Sequence, residues 1–358
     1  MLARRALLTS ATAILVLSLA APAAAQAREP IPMVATFSIL GDMAKRIGGE
    51  HVDVTTLVGP DGDTHVYQPT PADARAISEA RILVVNGLGF EGWLNRLIDA
   101  SDFRGIRVTA TDGIEPIVFG DEHEHGDIHK VHAEEDGHDH DRGDQAEAGD
   151  DHDREKHAEV ATHDHEDDHE EEAHAESGHD HHGAFDPHAW QSLGNAVAYV
   201  DNITDALAKA DPVNATDFYR NRAAYVAEIE TLDAEIRNIV ARVLADRRTI
   251  VTSHDAFQYF GRDYGLEFVA PQGLSTESEA SAKDIVRLIR QIRELGIRAV
   301  FVENIADPRL LERIADETGA AIGGTLYPGA LSGPDGPAPT YLDMMRHNAM
   351  TLAQALTS

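Results

Sequence analysis

The stretch Ala215–Ala245, ATDFYRNRAAYVAEIETLDAEIRNIVARVLA, decides the fold of this chain. Its large apolar residues recur at alternating steps of four and three, which is the period of one buried face of an α-helix. They are Tyr225, Ile229, Leu232, Ile236, Ile239 and Val243. At about 1.5 Å per residue, one helix over this stretch is roughly 45 Å long. We therefore predict a helix at residues 215–247 that links two lobes and packs its apolar stripe into the core.

Short β-rich segments alternate with helical segments on both sides of this helix, which is typical of α/β folds. On the N-terminal side the predicted strands and helices are Met33–Thr36, Ile39–Gly48, Val52–Val58, Pro71–Glu79, Ile82–Asn86, Val108–Thr111 and the helix Trp190–Leu207. On the C-terminal side they are Thr249–Thr252, Phe268–Ala270, Ser281–Leu295, Ala299–Val302, Pro308–Thr318 and Ala321–Thr325. The sequence thus predicts an N-terminal β/α lobe at 28–120, completed by 183–214, and a C-terminal β/α lobe at 248–358.

The first 27 residues are typical of a secretory signal peptide. Arg4 and Arg5 precede an apolar run, Ala6–Ala21, and the small residues of Ala23–Ala27 follow it. We therefore expect export to the periplasm. The chain has no cysteine, so neither a disulfide nor a thiolate ligand for a metal is available.

Residues 121–182 hold 15 of the 20 histidines, together with 25 Asp and Glu against four Lys and Arg, and so contribute −21 of the formal charge of −32. High charge with almost no large apolar residue predicts a disordered loop, and imidazole and carboxylate are metal ligands. We expect an accessory metal collector, with a charge run that only aids solubility as the alternative. Its candidate ligands are His123, His125, His138, His140, His163, His165, His179, His181 and His182.

The remaining charge of −11 lies outside this loop. Nucleic-acid binding needs clustered Lys and Arg, so this acidic balance disfavours nucleic acid as a partner. It suits a protein that collects cations.

Three of the five histidines outside the loop lie close to strand ends or a helix start. His65 follows the strand Val52–Val58 through a turn-rich segment, His254 directly follows a strand, and His188 precedes a helix. In open α/β sheets, ligands bind at the carboxyl ends of the strands, so the three can converge on a cleft between the lobes. His51 and His347 have no partner motif, and we interpret them as surface or structural residues.

Five ordered motifs resemble the metal-binding solute receptors of bacterial zinc and manganese ABC importers, the ZnuA/TroA type. They are Ala35–Met43, Gly59–Asp73 with His65 inside it, Asp186–Trp190, Thr252–Phe257 and Phe301–Asn304. The resemblance extends from about Met33 to the C-terminus, interrupted by the acidic loop, which zinc-type members often carry at the same place. It implies two β/α lobes bridged by one long helix, with one metal ion held in the cleft between them.

Carried over to this sequence, the resemblance places metal ligands at His65, His188 and His254. Manganese-type members have a carboxylate at the third position, whereas imidazoles suit Zn²⁺, so zinc is the expected metal. Many relatives have an Asp where Gly329 stands here. The fourth ligand is then a water or a loop histidine, with Asp335 next, and Asp63 and Glu303 as further candidates. Glu303 is also a candidate hydrogen-bond partner of a ligand histidine.

The resemblance implies a monomeric periplasmic receptor that binds Zn²⁺ with high affinity and delivers it to an ABC permease at the inner membrane. Periplasmic metallochaperones are further candidate partners. Two alternatives stay open, a periplasmic zinc buffer or chaperone without a permease and a zinc hydrolase. The sequence contains no nucleotide-binding P-loop, and no general base is evident near the motifs, so we expect no enzymatic activity.

Overall fold

The computed structural model describes residues 29–118 and 185–357. The predicted signal peptide and the predicted His-rich loop lie outside these described residues. The chain forms two parallel α/β lobes, as predicted, and each lobe is built on one four-stranded sheet.

The N-terminal lobe has the strand order β2-β1-β3-β4, and every neighbouring pair is parallel. Its central strands are aliphatic on both faces because helices cover both sides of a parallel sheet. The elements are β1 Ile31–Phe37, α1 Ser38–Gly48, β2 Val52–Val58, α2 Pro71–Glu79, β3 Ile82–Val85, α3 Leu94–Ser101, β4 Ile106–Thr109 and α4 Leu193–Ala210. Helix α3 was not among the predicted elements.

Helix α2 begins and ends as predicted, at Pro71 and Glu79. Thr70 and Asp73 form a capping box, in which each side chain bonds to the backbone of the other residue. Pro71 occupies the first helical position, where its ring fixes the φ angle at a value that suits the start of a helix. The cap thereby fixes the end of the loop that leads from β2 to α2, the loop that contains His65.

The linking helix, α5, is Ala215–Val240, and so it ends before the predicted boundary at residue 247. The boundary was wrong because the chain tightens after Val240. Arg242 N donates to Ile239 O and Val243 N donates to Val240 O, which are bonds of a narrower turn, and Leu244 is extended. Val243 remains buried, so the buried apolar stripe continues beyond the end of the helix.

The C-terminal lobe repeats the parallel arrangement with the strand order β6-β5-β7-β8. Its elements are β5 Thr249–Val251, α6 Gln258–Tyr264, β6 Glu267–Val269, α7 Ala282–Leu295, β7 Ala299–Glu303, α8 Arg309–Thr318, β8 Ala321–Leu326 and α9 Tyr341–Thr357. The sequence did not predict α6 or α9. The predicted strands are present, with ends that differ by a few residues.

One large apolar core passes from the N-terminal lobe through α5 and α9 into the C-terminal lobe. Helix α9 contacts α5, α1 and β8, so it joins elements of both lobes. A smaller core lies beneath α7 and α8. Since the large core is shared, a wide opening of the lobes would expose apolar surface to water. Within the described residues, no helix has the length and apolar character needed to cross a membrane.

Candidate metal centre

His65, His188 and His254 come together at one point between the lobes. Each offers one ring nitrogen, and these three nitrogens lie within 4.8 Å of one another. His65 lies in the loop after β2, His188 precedes the short turn Ala189–Gln191, and His254 follows β5. Loops that leave the carboxyl ends of parallel strands meet at the same edge, and that topology brings the three residues together.

The spacing of the ring nitrogens fits a tetrahedral ion. His65 Nε2 and His188 Nε2 are 3.3 Å apart, and the edge of a tetrahedron with Zn–N bonds of about 2.05 Å is about 3.3 Å. His254 Nε2 is buried and has no hydrogen-bond partner among the described residues. A buried polar atom without a partner is costly, and a bound cation would satisfy it. The geometry therefore suits one divalent ion held by three imidazoles.

Two buried carboxylates hold the opposite sides of two of these rings. His188 Nδ1 lies 2.8 Å from Asp186 Oδ1, and His254 Nδ1 lies 2.6 Å from Glu303 Oε2. Each Nδ1 then carries the proton and donates it to the carboxylate, which leaves Nε2 as the ligand atom. The backbone N–H groups of Ser253 and His254 also donate to Glu303 Oε1. Glu303 thereby fixes both the ring and the backbone of His254.

The surroundings favour neutral rings at His65 and His188. The pKa of His65 lies well below its usual value because burial disfavours the charged ring, and because His188 and His254 lie beside it. Burial likewise lowers the pKa of His188, and the neighbouring His254 adds to this. Only neutral imidazole binds a metal ion, so both rings are ready to act as ligands.

The pKa values of His254 and Asp186 shift in the opposite direction. Burial alone would lower the pKa of His254, but the charge and hydrogen bond of Glu303 outweigh burial and raise it. Burial raises the pKa of Asp186 to about 7, against the opposing effect of the His188 backbone N–H. A divalent ion at the three rings would favour the ionised form of Asp186.

A buried polar network behind His188 was missed by the sequence analysis. Asn86 Nδ2 donates to Pro187 O at 2.9 Å, and Tyr199 OH donates to Asn86 Oδ1 at 2.6 Å. Glu91 Oε1 accepts from the backbone N–H of Asn86 at 2.7 Å and from the Thr36 hydroxyl at 2.6 Å. The network fixes the carbonyl immediately before His188. The position of Asn86 at the end of a buried strand was a weak indication in the sequence of a role near the site, and nothing in the sequence indicated such a role for Glu91.

Aromatic rings exclude water from one side of the three-histidine group. Phe90 packs against His65 with ring centroids 4.9 Å apart, and Trp190 packs against His188 at 5.3 Å. Phe90 and Trp190 also contact each other, at 4.7 Å. Because these apolar rings keep water away, electrostatic interactions inside the site are stronger than they would be in water.

Within residues 29–118 and 185–357, the other predicted site residues lie outside the group of converging nitrogens. Glu303 contacts Nδ1 of His254, which is the nitrogen that faces away from the group. Asp335 is exposed in a turn. Asp63 Oδ1 accepts from the backbone N–H of His65, and its Oδ2 accepts from Thr276. Gly329 lies beside Trp190 and Phe90, and the loop histidines lie outside the described residues.

The two remaining histidines have structural contacts elsewhere, in agreement with their interpretation from the sequence. His51 Nε2 lies 3.0 Å from Asp217 Oδ2. His347 Nε2 lies 3.0 Å from Thr325 O at the surface of the C-terminal lobe. Neither belongs to the group of three converging histidines.

Known proteins with this sequence pattern bind different metals. The manganese-binding lipoprotein MntA of Halalkalibacterium halodurans is 30% identical over 330 residues, which cover 92% of this chain and 89% of that protein. The iron-binding protein YfeA of Yersinia pestis is 29% identical, with 90% and 85% covered. The periplasmic zinc binding protein TroA of Treponema pallidum has a solved structure that matches with a TM-score of 0.71 and 25% identity, over 92% of this chain and all of that chain.

A family profile matches most of the chain. It is described as zinc-uptake complex component A, periplasmic, and it covers residues 33–355. These residues include both lobes, the linking helix and the three converging histidines. The chain therefore belongs to the zinc-uptake complex component A family.

Proposed function

We propose that this protein is a periplasmic receptor that binds Zn²⁺ with high affinity at His65, His188 and His254 and delivers it to an ABC permease. The observation that carries the proposal is the convergence of three imidazole nitrogens within 4.8 Å, with no carboxylate in the group among the described residues. The family of the chain supports a role in metal uptake. In this role Zn²⁺ is cargo and no reaction is catalysed.

The ligand set favours zinc over manganese or iron. Mn²⁺ prefers carboxylate and carbonyl oxygens, whereas imidazole suits Zn²⁺. Relatives are named for manganese, iron and zinc, so the names alone do not choose the metal. The chemistry of the three rings is the argument for zinc in this chain.

Competition titrations with Zn²⁺, Mn²⁺ and Fe²⁺ test the choice of metal. We expect zinc to bind at least roughly a hundredfold more tightly than manganese, because three nitrogen ligands and no oxygen ligand disfavour manganese. The variant His254→Glu supplies an oxygen ligand and is expected to narrow this ratio. A wild-type protein that bound manganese or iron as tightly as zinc would contradict the proposal.

The receptor role has a separate test, because a zinc buffer would bind the metal equally well. The zinc-loaded protein should bind membranes that contain its ABC permease, and the permease should then take up zinc. The lack of both results would favour the buffer.

The His-rich segment 121–182 is proposed as an accessory collector that raises the local metal concentration beside the cleft.

A further inference from the structure

A cleft of about 770 Å³ opens beside His65. His188 and His254 are fully buried, and only His65 of the three ligands is partly exposed. Because His65 also lines the cleft, the solvent-facing side of the three-histidine group is the side that the cleft reaches. A small molecule in this cleft would therefore lie next to a bound metal ion.

The described residues give the metal only three neutral ligands. Three carboxylates beside these histidines have other partners, since Asp186 and Glu303 bond to the Nδ1 atoms of their histidines and Asp63 bonds to Thr276. Zn²⁺ prefers four ligands, and a site with three protein ligands keeps its fourth position for a water or another small ligand. A fourth ligand with a negative charge would also offset part of the ion's charge.

Gly329 leaves space at the wall of the site. A Cβ atom on Gly329 would lie 3.6 Å from Trp190 Cζ2 and 3.9 Å from Phe90 Cζ, which are ordinary contacts. These are the rings that pack against His188 and His65. The backbone of Gly329 is outside the left-handed region, so neither its conformation nor its surroundings require glycine. Steric crowding therefore does not explain why position 329 is a glycine.

The lining of the cleft combines apolar and aromatic side chains with a few polar ones, and it carries both signs of charge. Arg96 and Gln68 supply hydrogen-bond donors, and Glu277 supplies one negative charge. A guanidinium binds a carboxylate through charge-assisted hydrogen bonds. With a divalent ion beside His65, attraction to an anion from the metal and from Arg96 exceeds repulsion from the single carboxylate of Glu277.

We propose that the cleft binds a small monocarboxylate anion, which completes the coordination of the metal at the fourth position and contacts Arg96. This inference rests on the proposed metal-binding function. The protein would then capture and hold a ternary complex of protein, metal and anion. Release of the anion through the cleft would weaken the metal site and favour metal release.

Visible absorption of the Co²⁺-loaded full-length protein tests the inference, because Co²⁺ bands report the number and kind of ligands. Acetate is the probe, added at constant ionic strength with perchlorate as the balancing anion. We expect a saturable change in the bands of the wild type. Arg96→Ala should raise the half-saturating acetate concentration roughly threefold to tenfold, the effect of one partly exposed charge-assisted hydrogen bond. Arg104→Ala, which changes an exposed arginine outside the cleft lining, should leave it unchanged.

Two substitutions at Gly329 complete the test. Gly329→Asp offers a protein carboxylate beside the same rings and should suppress the acetate response, whereas Gly329→Ala adds only a methyl group and should retain it. A wild-type spectrum that acetate does not change would overturn the inference and assign the position to water or to a histidine of segment 121–182. An unchanged response in Gly329→Asp would overturn it as well. Failure of the wild type to bind Co²⁺ or Zn²⁺ would instead contradict the proposed function.

Discussion

Thr276 of the C-terminal lobe donates a hydrogen bond of 2.5 Å to Asp63 Oδ2 of the N-terminal lobe. The other oxygen of Asp63 accepts from the backbone N–H of His65 at 2.9 Å. Asp63 therefore connects the loop that carries the first proposed ligand to the opposite lobe. This connection positions His65 independently of any contact between His65 and a metal.

A second connection lies two residues earlier in the same loop. Asp61 Oδ1 accepts from Asn304 Nδ2 at 2.9 Å, and Asp61 N donates to Leu331 O at 2.8 Å. Asn304 directly follows Glu303, the partner of His254. The loop of His65 is thus bonded to the loop after β7, next to the carboxylate that holds His254, and separation of the lobes must break these bonds.

We expect Thr276→Val to accelerate zinc release about fivefold, because the lost interlobe hydrogen bond has a net worth of about 1 kcal/mol. Stopped-flow mixing of the zinc-loaded protein with excess chelator measures the release rate. Ser278→Ala is the matched control, since Ser278 is exposed in the same segment. Thr276→Ser should restore the wild-type rate. A release rate unchanged in Thr276→Val would show that the contact does not limit opening.

We expect Glu303→Gln to weaken zinc binding roughly 10- to 100-fold, the usual effect of removing a hydrogen-bond partner of a ligand histidine. Glutamine has one acceptor oxygen, whereas Glu303 accepts from the His254 ring through one oxygen and from two backbone N–H groups through the other. Affinity is measured by competition with a chelator. Glu267→Gln, an exposed carboxylate in the same lobe, should have no effect. A loss of zinc affinity smaller than about twofold in Glu303→Gln would show that Glu303 does not position His254 for metal binding.

The stability of the protein should depend on pH through Glu91. Burial raises the pKa of the Glu91 carboxyl above its usual value of 4.5, and the hydrogen bonds from Thr36 and the backbone oppose this only in part. The folded protein then keeps a proton that the unfolded chain loses above about pH 4.5, so the free energy of unfolding falls as pH rises through this window. Its slope is at most about 1.4 kcal/mol per pH unit.

Glu91→Gln removes this titration, so the stability of the variant relative to the wild type should increase as pH rises from about 4.5 toward the raised pKa. Denaturant titrations of the metal-free proteins at a series of pH values give the slope. Glu79→Gln changes an exposed carboxylate of the same lobe and should follow the wild type. Parallel curves for Glu91→Gln and the wild type would mean that Glu91 does not titrate in this range.

The sequence was sufficient wherever local chemistry determines the structure. Thr70, Pro71 and Asp73 place the start of α2, and the aliphatic run of β3 identifies a buried strand. Helices α3 and α6 have only eight and seven residues, and such short helices depend on tertiary packing for stability. Their existence is therefore hard to infer from periodicity. The sequence predicted too late an end for the linking helix, because Val243 continues the buried apolar stripe although the helix ends at Val240.

The sequence predicted the three converging histidines and Glu303 as a hydrogen-bond partner of one of them, but not the other contacts that position them. Strand ends and the family motifs indicate His65, His188 and His254 together. The contacts of Asn86 with Pro187 and of Asp63 with Thr276 join residues that are far apart in the sequence. No spacing pattern encodes such contacts, because they depend on how the two lobes pack.

Zinc titration by calorimetry with a competing chelator tests the central claim most directly, with three proteins compared. They are the wild type, His254→Ala and a variant that lacks residues 122–181. We expect His254→Ala to lose the tightest site, because two imidazoles remain from the three that converge, and we expect the deletion variant to retain it. His347→Ala, which removes a surface histidine with a structural contact, should bind as the wild type does. Loss of the tightest site on deletion, together with its survival in His254→Ala, would contradict the claim that the three-histidine cleft holds the transported metal.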